Sequence, residues 1–367
     1  MYFPVFVNSA RDLSQLRIAY APMAADFRPP GDRRRFAFWA VKRGVQLELA
    51  DISADYDLVV LSERADISTW SRLAPSRTRL VYDLTDSYLA IPPGSLQDLA
   101  RGTGKSLLRQ HRRWTWSYSR AVVAMCRRAD VVICSTPEQR RAILEHCSDV
   151  RVILDVHDHE LAPAQGTSEA ADGTLRLFWE GQPQNLRGFR PVFNEALRLV
   201  ANQMPVELHL ATDPTFPRWF GRVGRVRTED LVNDLAVKPH IHEWNSASLP
   251  AIAASCDVGV IPLDLDNAFA AGKPENKLLL MWHLGLPTVT SATPAYCRVM
   301  TQAHVNLTCE TSEQWATALV NLATDAPARS AAIAAGKAYV DKHHSTEVIL
   351  AAWDGLVEDL LTQVDSG

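Results

Sequence analysis

Short runs of valine, isoleucine and leucine recur along this chain. Between them lie stretches whose apolar residues repeat with helical spacing. In the first half, residues 17–20, 45–49, 56–62, 79–82, 129–134 and 150–154 read as strands, and 36–43, 106–128 and 138–146 as helices. In the second half, 175–179, 206–211, 241–244, 258–262 and 288–290 read as strands, and 189–203, 228–235, 249–255 and 276–284 as helices. Strands that are apolar throughout and alternate with helices predict parallel sheets covered on both faces. Between the halves lies 161–173, rich in Ala, Pro, Gly and Ser and without periodicity, which reads as a linker. The expected fold class is therefore α/β, with two doubly wound, Rossmann-like domains facing a cleft. Their expected bounds are 1–163, joined by 345–367, and 174–344. Residues 346–362 carry an apolar stripe of Val348, Ile349, Ala352, Trp353, Leu356, Val357, Leu360 and Leu361, so the terminal helix is expected to cross back onto the first domain.

Composition changes this picture little. The 367 residues are 47% hydrophobic and 22% charged, with a formal net charge of -4. That is an ordinary globular balance, long enough for two cores, and it gives no reason to expect a nucleic-acid partner. The six cysteines contain no C-x-x-C pair and sit in or beside apolar segments, so they read as reduced core thiols rather than a zinc or redox site. Residues 1–8 lack the basic start and long apolar core of a signal peptide, and no apolar run approaches the ~18 residues that span a bilayer. The expectation is a cytoplasmic protein, with room for peripheral contact at the inner membrane surface.

Ligands of doubly wound sheets bind beyond the carboxyl ends of the strands, so candidate chemistry is sought there. Trp179-Glu180-Gly181-Gln182-Pro183-Gln184-Asn185-Leu186-Arg187-Gly188 follows a strand and precedes a helix. Gly181 would let backbone approach a ligand, and Arg187 could return to the same mouth; the alternative is a glycine turn with a surface arginine. Ala271-Gly272-Lys273-Pro274-Glu275-Asn276-Lys277 opens a helix that Gly285 ends. Lys277 falls in the first turn, where a cation opposes the helix dipole unless an anion is also present, and a diphosphate would resolve that conflict. The alternative is a solvated lysine.

The first half offers four segments. Residues 26–35 (DFRPPGDRRR) place Arg28, Arg33, Arg34 and Arg35 around a turn that could bind an anionic acceptor or a phosphate, Arg28 and Arg33 being the candidates; a solvated basic turn is the alternative. Asp83 and Asp86, at a strand end, suit acceptor hydroxyls or base chemistry, or a helix cap. Residues 101–120 carry six Lys/Arg, no acid, and Trp114, Trp116 and Tyr118. They read as a solvated helix face with buried tryptophans, or as a contact for an anionic membrane. Gly104-Lys105-Ser106 imitates a Walker A ending, but the motif's first glycine would fall at Leu99. Asp155-Val156-His157-Asp158-His159 has metal-like spacing without further ligands and reads better as a hinge or cleft wall, and His343-His344 as surface.

The two segments of the second half together resemble the glycosyltransferase group 1 family of GT-B enzymes. Arg187 takes that family's lysine position and Gln182 its arginine position; Asn276-Lys277 matches the pair at the helix start, and Gly285-Leu286-Pro287 the step before the next strand. Residues 244–262 are similar to its base-binding loop, helix and strand. The family's paired glutamates fall at Gly272 and Leu280, leaving Glu275 as the nearest acid. The resemblance implies transfer of a sugar from a nucleoside-diphosphate sugar to a saccharide, lipid-linked or small-molecule acceptor, with retention and without metal or cofactor. Arg187 and Lys277 would neutralise the diphosphate; Gly181, Glu275 and Asn276 would line the donor; and Trp244 would stack on the base or serve as a half-buried core residue. Two further readings keep the scaffold: a GT-B nucleotide-sugar epimerase, and a non-catalytic binding relative.

Overall fold

The structure is a computed structural model that describes residues 16–75, 77–157, 173–217 and 224–362. Residues 1–8, Asp158, His159 and all of the linker segment except Gly173 lie outside them. The chain divides into two compact units: Met1–Asp155 with Leu350–Gly367, and Val156–Ile349.

In the first unit the apolar runs become β1 (Ile18–Ala21), β2 (Glu48–Leu49), β3 (Leu58–Ser62), β4 (Arg79–Asp83), β5 (Val131–Cys134) and β6 (Val150–Val152). They form one six-stranded sheet in the order β2-β1-β3-β4-β5-β6, with every pairing parallel. From β1 the chain first winds to one side and then to the other. The order therefore reverses between β1 and β3, which opens a crevice beyond their carboxyl ends. Helix Phe36–Arg43 covers the sheet and stops at Gly44, whose φ of 66° is the left-handed cap that glycine adopts without a Cβ penalty.

Helix Thr346–Thr362 supplies the rest of this core. Its Trp353, Leu356, Val357, Leu360 and Leu361 are buried, whereas Val348 and Ala352 of the expected stripe are exposed. Trp353 packs on Phe36 with ring centroids 5.3 Å apart. Asp354 accepts from Trp39 Nε1 at 2.8 Å and pairs with Arg43 at 2.6 Å, and Arg151 reaches Asp359 at 2.8 Å. The C-terminal helix thus crosses back onto the first unit.

One expected element is wrong. Residues 106–128 are not a single helix; Leu96–Leu107 and Tyr118–Arg128 are separated by an irregular segment in which Arg109 takes φ 57°. Side chains capture the backbone amides there instead of helical carbonyls. Asp66 Oδ2 accepts from Arg112 N at 3.1 Å, Ser68 Oγ from Arg113 N at 3.1 Å and Ser106 Oγ from Thr115 N at 2.9 Å. Ser117 then caps the second helix by accepting from Arg120 N. Gly104-Lys105-Ser106 lies inside or at the end of a helix, which removes any phosphate-loop geometry.

The second unit contains β7 (Leu175–Glu180), β8 (Val206–Ala211), a small antiparallel hairpin of β9 (Thr215–Pro217) and β10 (Arg225–Arg227), β11 (Pro239–His242), β12 (Val258–Ile261), β13 (Thr288–Ser291) and β14 (Thr308–Cys309). Its six-stranded parallel sheet runs β11-β8-β7-β12-β13-β14, so its order reverses between β7 and β12. The expected helix 189–203 begins only at Val192; ahead of it Pro183–Phe189 forms a 3-10 turn. A ladder of edge-on rings, Trp179–Phe189–Phe193–Trp315, with centroids 5.6, 5.1 and 4.9 Å apart, fixes that turn to the core.

All six cysteines are free thiols, five of them buried. Among the described residues no cluster of His, Cys, Asp and Glu could hold a metal, and no helix is long and apolar enough to cross a membrane.

Candidate functional site

In the second unit the two segments flanking the β7/β12 reversal meet at three points. At the first, Gly188 lies so close to the chain leaving β12 that a Cβ there would stand 2.9 Å from Pro262 O. At the second, Lys273 Nζ donates to Asn185 Oδ1 at 2.7 Å. At the third, Lys277 Nζ donates to Glu180 O at 2.5 Å, lies 3.9 Å from Glu180 Oε1, and sits 4.6 Å from the centroid of the buried Trp179 ring. Gly181 has φ 148°, and a Cβ on it would fall 2.4 Å from Lys277 Nζ and 3.1 Å from Trp179. Only glycine therefore leaves room for the ammonium. The turn is held from beneath by Thr212 Oγ1, which donates to Gly181 O at 2.6 Å, and by Gly181 N, which donates to Ala211 O at 3.1 Å.

This geometry is electrostatically poised. The Lys277 side chain is 21% exposed and lies in the first turn of helix Asn276–His283, where the unsatisfied amides repel a cation. Burial pushes its ammonium down to about 8; Glu180 opposes that and Lys273 adds to it. An anion arriving at this turn would restore the full charge of Lys277 and also meet the helix amides.

The remaining donor-side candidates are placed less centrally. Arg187 is exposed at the end of the 3-10 turn, and its carbonyl accepts from Arg190 N. Trp244 is half-buried just beyond β11, on the same carboxyl edge but two strands away from β7. Asn276 is half-buried at the helix start. The expected role of Glu275 is corrected: its carboxylate is buried and paired with Arg298 at 2.9 Å, so it anchors the helix start to helix Pro294–Gln302.

The first unit corrects two expectations at its own strand ends. Residues 26–35 do not form an open anion turn. Asp32 is buried and accepts from Met23 N at 2.8 Å, Ala24 N at 3.1 Å and Tyr20 OH at 2.7 Å, so the protein's own carboxylate occupies the amides after β1. Arg28 is exposed and pairs with Asp26 at 3.6 Å, and Arg33 is half-buried at the end of the short helix Pro30–Arg33. Asp83 is not a free base. Arg35, fully buried, grips it through Nη2 at 2.6 Å and Nε at 2.8 Å, and reaches Asp155 through Nη1 at 3.0 Å. That triad also accounts for Asp155, the last residue before the chain passes to the second unit. His344 is likewise not simply surface: its ring lies against Tyr339, and burial pushes it down to about 4.

Asp86 remains half-buried beyond β4, with its backbone fixed by Gln139 Nε2, which donates to Leu84 O at 2.9 Å and Asp86 O at 3.0 Å. Its neighbour Glu63, absent from the expected set, is buried directly after β3 and accepts from Thr85 Oγ1 at 2.5 Å. Burial and then the Asp86 carboxylate push the Glu63 carboxyl up to about 7. The one available signal was its place, immediately past an apolar strand.

The tryptophans of 101–120 also differ from the expectation. Trp114 and Trp116 are 52% and 67% exposed and lie edge-on to one another at 5.3 Å, and Leu107 nearby is 61% exposed.

No protein-family profile and no curated protein matches the sequence. Solved structures do. The chain superposes on TarM from S. aureus with a TM-score of 0.55 at 8% identity, covering 83% of this chain and 54% of TarM, so it spans about half of that protein's length. HepE of Anabaena, solved with UDP-glucose, gives 0.61 at 14% identity over 94% of this chain and all of HepE. WaaG, described as a glycosyltransferase involved in lipopolysaccharide biosynthesis, gives 0.54 at 16% over 92% of this chain and 98% of WaaG. The chain has a GT-B glycosyltransferase-like fold.

Proposed function

We propose that this chain transfers a sugar from a nucleoside-diphosphate sugar, with retention and without a metal ion, to a saccharide or lipid-linked acceptor. The observation that carries the reading is Lys277: a lysine held at a glycine turn, at the strand-order reversal of the second sheet and at a helix start, where an anion would favour its charged form. As the bond from the sugar to phosphate breaks, the electron pair remains on the diphosphate. Fixed cations stabilise that growing charge more than they stabilise the ground state. Lys277 is nearest the turn and Lys273 acts on it electrostatically; Arg187, exposed at the end of the 3-10 turn, would add a further cation, and Asn276 an amide. Trp244 would stack on the base. HepE was solved with UDP and UDP-glucose, which makes uridine the first base to test. On the acceptor side Asp86 would receive a hydroxyl of the saccharide. The test is binding and turnover of UDP-glucose by calorimetry and UDP release, with and without EDTA. Binding that survives EDTA and is lost in Lys277→Ala is expected; binding that Lys277→Ala leaves intact contradicts the reading.

A lipid-linked acceptor is supported by the segment after helix Leu96–Leu107. Trp114, Trp116 and Leu107 stand out beside exposed Arg109, Arg112, Arg113 and Arg120, and the backbone that displays them is pinned by Asp66, Ser68 and Ser106. Amphipathic indoles with arginines suit the headgroup region of an anionic bilayer. Cosedimentation with phosphatidylglycerol vesicles but not phosphatidylcholine vesicles, lost in Trp114→Ala/Trp116→Ala, is the expected result. Equal sedimentation by the double variant would remove this contact.

A further inference from the structure

The Gly181 turn carries a charged group that the diphosphate chemistry does not use. Glu180 is the last residue of β7, and its backbone carbonyl is what accepts from Lys277 Nζ at 2.5 Å. Its carboxylate is a separate matter. Oε1 stands 3.9 Å from Lys277 Nζ, beyond hydrogen-bond distance, and the side chain is only 13% exposed. Among the described residues no hydrogen bond reaches either carboxylate oxygen. Taking a carboxylate largely out of water is costly unless hydrogen bonds or a close cation compensate it. Asp32, Asp83 and Glu275 each have such partners, at 2.6 to 3.1 Å. Glu180 departs from that pattern, and it does so at the strand-order reversal, where a ligand of such a sheet sits.

The surroundings give this carboxylate a direction. Side chains alternate along a strand, so Glu180 points to the face opposite that of Trp179, which belongs to the core. Burial, then Glu275 and Glu180, push the Tyr296 phenol up, so the Glu180 charge is felt in helix Pro294–Gln302, which follows β13. In the sheet order β11-β8-β7-β12-β13-β14, that is the side of β7 away from β11 and Trp244. With the base on Trp244 and the diphosphate on Lys277, the part of a donor left on the Glu180 side is its sugar.

A carboxylate beside an ammonium treats the parts of such a ligand differently. It repels phosphate oxygens, and it accepts from hydroxyls through two oxygens that cannot donate. It therefore weakens the hold on a bare diphosphate and strengthens binding only where a hydroxyl reaches it. We propose that Glu180 is a specificity-determining residue of the donor site, accepting a hydroxyl of the sugar to be transferred and orienting that sugar against the diphosphate at Lys277. This rests on the transferase reading above. A ligand entering the other way round would set phosphate against carboxylate, so Glu180 and Lys277 together admit one orientation.

The test is calorimetric titration of UDP-glucose and of UDP, at pH 7, into the wild type and Glu180→Ala. Affinity for UDP-glucose is expected to fall about ten- to a hundredfold, the range for a hydrogen bond to a charged group, while affinity for UDP is unchanged or rises. Retained UDP binding shows in the same experiment that the turn and Lys277 are intact. Should Glu180→Ala fail to fold, Glu180→Gln keeps the shape and a neutral acceptor, and its expected loss is about three- to tenfold for UDP-glucose alone. An equal loss for both ligands would make Glu180 a support of the turn and overturn the proposal. Affinity for UDP-glucose that is unchanged or raised would also overturn it, since Glu180 would then only repel the diphosphate. Failure of the wild type to bind UDP-glucose would instead sink the transferase reading.

Discussion

Both sheets are six-stranded and parallel and reverse their strand order beside their first strand, yet they use that place in opposite ways. Beyond β1, at the reversal of the first sheet, Asp32 occupies the turn amides and Arg35 is buried between Asp83 and Asp155. Charges there are satisfied within the protein and hold the turn shut. Beyond β7, at the reversal of the second sheet, the Gly181 turn is held by Thr212 Oγ1 and Ala211 O. Gly181 clears the space, and Lys277 enters it, donating to Glu180 O at 2.5 Å and lying 3.9 Å from Glu180 Oε1. Each sheet therefore has one strand-order reversal, and with it one crevice. The side chain placed in the first turn separates the closed turn of the first sheet from the proposed donor site of the second.

This contrast can be broken by exchanging activity for stability. The largest effect is expected for Arg35→Ala, which leaves Asp83 buried and uncompensated; it should cost about 3–5 kcal/mol, read as a lower midpoint in urea. If the variant unfolds at the wild-type midpoint, the claim that the first crevice is internally satisfied fails. Lys277→Ala should do the converse, with a turnover loss of about 10²- to 10³-fold and a midpoint within experimental error of the wild type. A variant that is destabilised but active would invert the assignment. Gly181→Ala comes next. Its Cβ needs a backbone that L residues rarely adopt and must displace the ammonium 2.4 Å away, so about a tenfold weakening of donor binding is expected, with helix content unchanged by circular dichroism.

Smaller effects follow from pH. Burial pushes Lys277 down from its ordinary 10.5 to about 8. Between those values the unfolded chain binds the extra proton, so this group makes ligand-free stability rise with pH from 8 towards 10.5. A diphosphate favours the protonated lysine, so donor affinity should fall across the same window. Glu63 has the opposite sign. Its carboxyl is raised, the folded state binds the extra proton between 4.5 and 7, and its contribution to stability is lost as pH rises through that range. Thermal melts of Glu63→Gln should therefore show a shallower decline from pH 5 to pH 8 than the wild type, and parallel curves would refute it.

Much of the fold was legible because its signals are local. Continuous Val/Ile/Leu runs place the strands, and helix 36–43 ends at Gly44 where the sequence suggests. The break within 106–128 was hidden because it is made by Asp66, Ser68 and Ser106 capturing amides, two of them some 45 residues distant. The site was legible in part for the same reason. Gly181 and Lys277 announce themselves by position after a strand and at a helix start. Which arginine is buried and which aspartate it holds is a tertiary fact: Arg35 and Asp83 are 48 residues apart, and nothing in either neighbourhood marks the pair. Glu63 was missed likewise, since its burial depends on Tyr118, Tyr88 and Lys105 from later segments.

The central claim concerns the charge at the Gly181 turn, and calorimetric titration of UDP into the wild type and Lys277→Met at pH 7 and pH 9 tests it directly. The account predicts wild-type binding that weakens at pH 9 and is accompanied by proton uptake, and an affinity in Lys277→Met that is lower by about ten- to a hundredfold at pH 7 and no longer varies between the two pH values. Equal affinity of the two proteins at pH 7 would contradict it.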